Sequence, residues 1–219
     1  MGDGSDRAWR TITIEDSSPP VGFARLDADR ASGAFAALVR FPAGWERPGT
    51  GRYVVEEELL VLEGELHMTG VVYRAGDYAH LPAGYVRSRS AAPRGALALA
   101  FFGGPADWIR LAESVSEQGA SPPIVWREVT PRRSSIAGSA RLLRETERVS
   151  TWLVDGPLAA RAPRDARVQL FSLTSRSWAA VAPDGPIPPL PIPCLYRLVR
   201  SSDARGHGET SVDRDLSDI

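Results

Sequence analysis

The amino-acid sequence predicts an all-β protein whose antiparallel strands curl into a barrel or a sandwich. Short segments that alternate apolar and polar residues recur along the chain, and turn residues separate them at near-regular intervals. The 219 residues include 20 glycines and 18 prolines, which suits a turn-rich β protein better than a helical one. The best helix candidate is a single segment, residues 107–118.

Composition excludes several classes of protein. The 26 basic and 27 acidic residues leave a formal net charge of −1, so we expect no overall attraction to nucleic acid or to an anionic membrane. No apolar run approaches the roughly 20 residues that span a bilayer, and the polar N-terminus does not resemble a secretory signal. A lone cysteine, Cys194, excludes an intramolecular disulfide and a cysteine-based zinc site. We therefore expect a cytoplasmic protein.

The first half of the chain supplies the strands of one barrel. The predicted strands are residues 9–14, 22–26 and 34–40, several within 44–87, and 96–102. Within the central stretch we expect a hairpin that turns at Glu63-Gly64, where glycine tolerates a positive φ. The run at 96–102 is apolar throughout and predicts a strand buried on both faces. Trp108, Leu111 and Val115 follow at helical spacing in the predicted helix over 107–118.

After this helix the chain begins a second, shorter version of the same pattern. Three short segments recur at an offset near 116 residues, which predicts an internal duplication, with Trp126 opposite Trp9. Residues 168–174, 177–181 and 195–200 predict further strands, and the prolines of 183–193 predict a strap over a surface. We accordingly divide the chain into an intact barrel (1–105), a helical linker (106–122), a degenerate second unit (123–200) and a disordered tail (201–219).

The glycines and prolines of the central stretch follow the spacing of a known family. The first series resembles the cupin motif G-x5-H-x-H-x3,4-E-x6-G, and the second resembles G-x5-P-x-G-x2-H-x3-N. The residues at these positions are Gly44, Thr50, Arg52, Glu57 and Gly64 in the first, and Gly76, Pro82, Gly84, Arg87 and Ala91 in the second. The chain therefore resembles a degenerate bicupin of the RmlC-like type, which implies a jelly-roll β-barrel. The resemblance also implies a homodimer.

The resemblance implies that the usual metal ligands are missing. Thr50, Arg52 and Arg87 stand where the family places its three histidines, and only the glutamate, Glu57, is retained. A divalent cation is held by groups that donate a lone pair, and a guanidinium has none to give. We expect no metal cofactor at this position. A displaced set of His67, His80 and Glu57 is an alternative that no ligand spacing supports.

The same positions predict a different kind of pocket. Arg52, Arg87 and Glu57 would converge inside the barrel and clamp a small anion, with Glu57 as a base or as the counter-ion of the arginines. His80 could lie beside Glu57 and form a pair suited to proton transfer. We expect Tyr78 and Trp45 to contact a planar ligand. The alternatives are a salt bridge that fills an inactive cavity and a half-buried structural histidine.

Three functions are compatible with these residues. The first is a metal-independent pocket that binds a small anionic or planar molecule or catalyses proton transfer on it, as an isomerase, lyase or cyclase does. The second is a non-catalytic ligand-sensing cupin. The third is a metal-dependent, dioxygenase-like cupin with a non-standard ligand set. A binding pocket and an acid–base pocket would use the same residues, so the sequence leaves the enzymatic question open.

Overall fold

The structure is a computed structural model that describes residues 8–112, 123–128 and 139–200. Every regular element in these residues is a β-strand, which confirms the all-β prediction. The chain divides into two compact units, Arg7–Val129 and Thr130–Ile219, the latter together with Met1–Asp6. No helix long and apolar enough to cross a membrane occurs in the described residues.

The first unit is a curled antiparallel sheet. Its strands are β1 (Arg10–Ile12), β2 (Val21–Ala28), β3 (Phe35–Phe41), β4 (Trp45–Arg47), β5 (Thr50–Tyr53), β6 (Glu57–Met68), β7 (Val71–Arg74), β8 (Tyr78–Leu81), β9 (Val86–Arg87), β10 (Ser90–Ala92), β11 (Ala96–Phe102), β12 (Trp108–Leu111) and β13 (Ile124–Trp126). The main sheet has the order β1-β2-β3-β11-β6-β10-β4, with β7 and β8 also paired to β6, and β12-β5-β9 form a smaller sheet. All seven residues of β11 are buried, as its apolar run predicts.

The long strand β6 does not turn where the sequence predicted. It runs through Glu63-Gly64 as one strand, and the chain reverses at Thr69 and Gly70, both of which have positive φ. Two residues with positive φ match a type I′ hairpin turn. Gly64 also has a positive φ, and a Cβ there would overlap the carbonyl oxygen of Gly95, so the position requires glycine. The pairing of β6 with β11 skips Leu62, which marks a bulge two residues before Gly64.

The predicted helix over 107–118 is wrong at its start. Trp108–Leu111 form β12, which pairs with β5, and residues 113–122 lie outside the described part of the chain. Trp108 is buried against Tyr53, Ala100 and Phe102, whereas the neighbouring Ile109 is exposed. The antiparallel pairing of all four residues with β5 makes this segment a strand, and that tertiary pairing overrides the helical spacing of Trp108 and Leu111.

Strand β13 belongs to the first unit and not to the second, where the sequence placed it. Trp126 pairs with Tyr78 of β8, whereas Trp9 precedes β1, which pairs with β2, so the two tryptophans are not equivalent. The buried carboxylate of Asp77 secures the strand end by accepting hydrogen bonds from Arg127 Nη1 at 2.6 Å and from the Glu128 N–H at 3.0 Å. These two hydrogen bonds to Asp77 hold the end of β13 against the first unit.

The hydrogen bonds to the Asp77 carboxylate predict that the first unit loses stability at low pH. Burial alone would raise the pKa of Asp77, but the N–H groups of Arg74 and Glu128 and the Arg127 guanidinium together hold it below its ordinary value of 3.8. A lowered folded-state pKa stabilises the protein above the ordinary value, and this stabilisation is lost as pH falls. We expect the urea midpoint of the first unit to decrease below about pH 4, and Asp77→Asn to reduce that decrease. Asp107→Asn, which alters an exposed carboxyl, should leave it unchanged.

The second unit repeats the strand order of the first. Its sheet runs β14 (Ser139–Glu145), β15 (Val149–Asp155), β18 (Cys194–Arg200), β16 (Ala166–Ser172) and β17 (Trp178–Val181). The same pairing connects β2, β3, β11, β6 and β8. A register shift also skips one residue in corresponding strands, Leu26 in β2 and Leu143 in β14. The shared order and bulge support the predicted duplication.

The second unit has fewer strands than the first in the described residues. Between β17 and β18 the described chain contains no strand, and Ile187 and Leu190 from this proline-rich segment pack against the core of the unit. The prolines cannot donate to a sheet ladder, which keeps the segment out of the sheet.

Burial raises the pKa of the Cys194 thiol to about 11, so that this group is a poor nucleophile at neutral pH. The predicted tail at 201–219 lies outside the described residues.

Candidate functional site

A cavity of about 690 Å³ opens inside the first unit, on the concave face of its sheet. Most of its wall is apolar and comes from β2, β3, β6 and β11, while the short strands β4, β5, β9 and β12 carry its polar end. This volume is in the range of pockets that hold small organic molecules.

The polar end contains the pair that the sequence predicted from Glu57 and Arg87. Arg87 Nη1 donates to Glu57 Oε2 at 2.5 Å, and the two residues are 5% and 7% exposed. The Arg87 guanidinium also lies 4.6 Å from the centroid of the Tyr53 ring. Its Nε is buried and has no hydrogen-bond partner among the described residues. The charges of Glu57 and Arg87 therefore offset each other, while Arg87 Nε remains a donor without an acceptor in the described residues.

A second buried arginine, Arg47, completes the polar end, and the sequence reasoning missed it. Its Nε donates to the carbonyl of Glu15 at 2.9 Å, and its Nη1 donates to the Tyr53 hydroxyl at 3.3 Å. The guanidinium lies 3.8 Å from the centroid of the Trp108 ring, a close cation–π contact. Nη2 has no partner among the described residues, although Arg47 is only 4% exposed. Arg47 shares strand parity with Trp45, and that signal could have identified it.

Two tryptophans, Trp45 and Trp108, line this end of the cavity. The Trp45 ring packs edge-on against Phe41 at 4.7 Å, and its Nε1 donates to Ser17 Oγ at 3.1 Å. The Nε1 of Trp108, in contrast, is buried without a partner in the described chain. The Trp108 ring packs directly over Gly51, where any Cβ would overlap it. Gly51 thus allows Trp108 to lie beneath Arg47.

Arg52 does not join this site, and the prediction that placed it there is wrong. The residue is exposed in β5, where it pairs with Ile109 and Val86, and it does not line the cavity. Gly51 and Tyr53 occupy the buried face of the same strand instead. The motif position therefore holds an arginine that points to solvent, and Arg47 supplies the second guanidinium.

His80 and Tyr78 also lie away from the cavity, which corrects their predicted roles. Residues directly opposite in an antiparallel pair share a face, and His80 pairs with Glu58 whereas Glu57 pairs with Leu81. His80 Nε2 accordingly lies 3.3 Å from Glu56 Oε2, and the Tyr78 hydroxyl donates to Glu58 Oε2 at 2.6 Å. Glu58 is only 1% exposed. Glu57 and His80 do not meet.

The residues present do not fit the metal that this fold often carries. Within the described residues there is no group of three or more His, Cys, Asp or Glu side chains that could hold a metal ion. Glu57 is engaged by Arg87, and His67 lies beside Glu65, with Nε2 and Oε1 3.1 Å apart. His67, His80 and Glu57 therefore do not form the displaced ligand set.

The electrostatics of the polar end favour an anion. The charge of Arg87 is offset by Glu57, but the acceptors of Arg47 in the described structure are a backbone carbonyl and a phenol. The end of the cavity therefore carries one buried positive charge without a carboxylate. Three buried N–H groups, on Arg47, Arg87 and Trp108, have no acceptor within the described residues. Buried donors are costly when unsatisfied, so an acceptor that enters here gains free energy.

Comparison with known proteins identifies the fold. No family model and no curated protein matches the chain. A proposed dioxygenase from Nostoc punctiforme PCC 73102 aligns with 100% of this chain and 83% of its own, at 15% identity and a TM-score of 0.66. An acetylacetone dioxygenase from Acinetobacter johnsonii aligns over 55% and 83% of the two chains, at 14% identity and a TM-score of 0.45. An RmlC-like cupin protein from Ralstonia eutropha JMP134 aligns over 57% and 78%, at 16% identity and a TM-score of 0.42.

These similarities concern the fold and not the chemistry of the site. The Nostoc structure aligns with the whole chain, and the curled antiparallel sheet of this chain agrees with the motif spacing of Gly44 to Ala91. The chain is therefore a protein of the cupin fold.

Proposed function

We propose that the first unit binds a small anionic molecule, without a metal, at the polar end of its cavity. The observation that carries this proposal is Arg47, a buried guanidinium with an unused Nη2 and no carboxylate partner in the described structure. Arg87 Nε and Trp108 Nε1, from two residues that line the same cavity, are further buried donors without an acceptor in the described residues. Charge-assisted hydrogen bonds between a guanidinium and an anion are the strong ones in proteins.

Binding has more support than proton transfer. Glu57 Oε2 accepts a 2.5 Å hydrogen bond from Arg87, and this ion pair gives the carboxylate a structural role that requires no proton transfer. His80, the other candidate, lies on the opposite face of the sheet. In this proposal Glu57 is the counter-ion that holds Arg87 in place.

The matched pair Arg47→Met and Arg52→Met tests the proposal. Methionine keeps most of the side-chain length and removes the charge. We expect isothermal titration of acetate and benzoate to show that Arg47→Met weakens binding by about 10- to 100-fold, the value of a hydrogen bond to a charged group. Arg52→Met, which removes an exposed arginine from the neighbouring strand, should bind as the wild type does. Equal losses in the two variants would show that overall charge, and not this site, attracts the anion.

Metal analysis tests the other half of the proposal. We expect purified protein to contain iron, zinc, manganese or nickel well below one equivalent by elemental analysis, because two guanidinium groups lie at the polar end. Treatment with a chelator should leave anion affinity unchanged. Stoichiometric metal, together with loss of binding after its removal, would contradict metal independence.

A further inference from the structure

The cavity continues well beyond the anion site as a series of aromatic rings. Tyr53, which contacts both buried arginines, packs edge-on against Phe102 at 5.2 Å. Phe102 stacks on Phe35 at 4.9 Å with an interplanar angle of 18°, and Phe35 meets Phe23 at 6.2 Å. The rings thus lead from the polar end to the edge of strands β2 and β3. Flat apolar surfaces of this kind suit a planar partner.

Small residues leave space beside these rings. Ala98 and Ala100 of β11 line the same wall, together with Leu59 and Val39. A carboxylate occupies only a small part of a volume of about 690 Å³, so most of the cavity faces apolar atoms. Water in such a region finds few polar partners, and an apolar body displaces it favourably.

The charge balance limits the ligand to one buried negative charge. Arg47 is the cation that lacks a carboxylate partner in the described residues, and Arg87 is already offset by Glu57. The next arginine along the wall, Arg25, lies 5.7 Å from the centroid of Phe35 but is exposed, where water screens its charge. A second carboxylate on the body of the ligand would therefore lie against apolar rings without a buried partner.

We infer that the ligand of this cavity is a planar, apolar monocarboxylate, such as an aryl or conjugated carboxylic acid. Its carboxylate lies at Arg47 and its body extends along Phe102 and Phe35. The inference rests on the proposed function, since the carboxylate occupies the proposed anion site. It adds the size, the shape and the single charge of the molecule.

A ligand series on the wild-type protein tests this inference. Isothermal titration would compare acetate, cinnamate, the neutral cinnamamide and the dianion of 4-carboxycinnamate. We expect cinnamate to bind at least about tenfold more tightly than acetate because it buries an aromatic body. Cinnamamide and 4-carboxycinnamate should each bind at least about tenfold more weakly than cinnamate. Cinnamamide has no negative charge to pair with Arg47, and 4-carboxycinnamate would place a second carboxylate against apolar rings.

The outcomes separate the inference from the proposed function. If acetate and cinnamate bind equally and both depend on Arg47, the result supports the anion site and overturns the inference that the ligand has a planar apolar body. If cinnamate and cinnamamide bind equally, the apolar cavity stands and the anion site is wrong. Equal binding of cinnamate and 4-carboxycinnamate would overturn the single charge. Binding of none of the four would overturn both.

A variant of the wall gives an independent measurement. Phe35 is partly exposed, so Phe35→Leu removes the ring at a small cost in packing. We expect this variant to weaken cinnamate by about fivefold or more while acetate affinity stays within about twofold of the wild type, since the ring contacts the body and not the carboxylate. A parallel loss for both ligands would contradict the assignment of Phe35 to the body.

Discussion

Replacing Arg87 with methionine is expected to destabilise the first unit by about 3–5 kcal/mol, the usual effect of leaving a buried charge without its partner. Glu57 is buried and accepts a 2.5 Å hydrogen bond from Arg87, so the variant leaves its carboxylate in a cavity wall with an apolar neighbour. Hydrogen exchange followed by mass spectrometry on peptides from β5, β6 and β9 would measure the loss within this unit.

A double variant controls for the loss of packing. Glu57→Gln combined with Arg87→Met removes both charges, and we expect it to recover most of the lost stability because no unpaired charge remains. Its anion affinity should still be lower than that of the wild type, since the Arg87 Nε donor is gone. A single variant as stable as the wild type, to within about 0.5 kcal/mol, would show that Glu57 does not depend on Arg87.

Gly51→Ala is expected to have the second largest effect, because it disrupts the polar end without changing a charge. The new methyl group would overlap the Trp108 ring and approach the carbonyl of Ile109, so that β12 must shift. Overpacking of this kind costs about 1–3 kcal/mol. The shift also withdraws Trp108 from Arg47, and we expect anion affinity to fall by about tenfold or more.

A neighbouring glycine provides the matched control. A Cβ at Gly49 has no heavy atom within 4 Å, so Gly49→Ala adds the same methyl group two residues away without a clash. We expect this variant to keep wild-type stability and affinity. If Gly51→Ala behaves like Gly49→Ala in thermal unfolding and in titration with benzoate, the close contact between Gly51 and Trp108 does not matter for the site.

Much of the architecture could be predicted from local sequence patterns. Alternation located most strands to within a few residues, and the continuous apolar run marked β11 as a strand buried on both faces. Two of the three matches at the near-constant offset lie in corresponding strands, β2 with β14 and β3 with β15, whereas the match of Trp9 with Trp126 does not. Motif spacing also paired Glu57 with Arg87 across 30 residues of sequence. These features depend on residue spacing alone, which is visible in the sequence.

Local sequence patterns did not predict on which face of the sheet each side chain of the site lies. A one-residue change of register moves every side chain to the opposite face, and register depends on bulges and on distant partners. The pairing of Glu57 with Leu81, and of Glu58 with His80, puts His80 on the face opposite Glu57 and outside the cavity. Arg52 points to solvent because Gly51 and Tyr53 take the inner face of β5.

Residue spacing was sufficient to predict an antiparallel sheet of cupin type, a Glu57–Arg87 pair inside it and no histidine at the usual ligand positions. The other groups that join this pair became visible only in the folded chain. Arg47 lies on a short strand at an unspecified position of the first motif, whereas Trp108 lies on a short strand beyond the second motif, where helical spacing predicted a different element. Gly51 brings them together because it has no side chain to keep the Trp108 ring away, and such a contact between distant segments leaves no local pattern in the sequence.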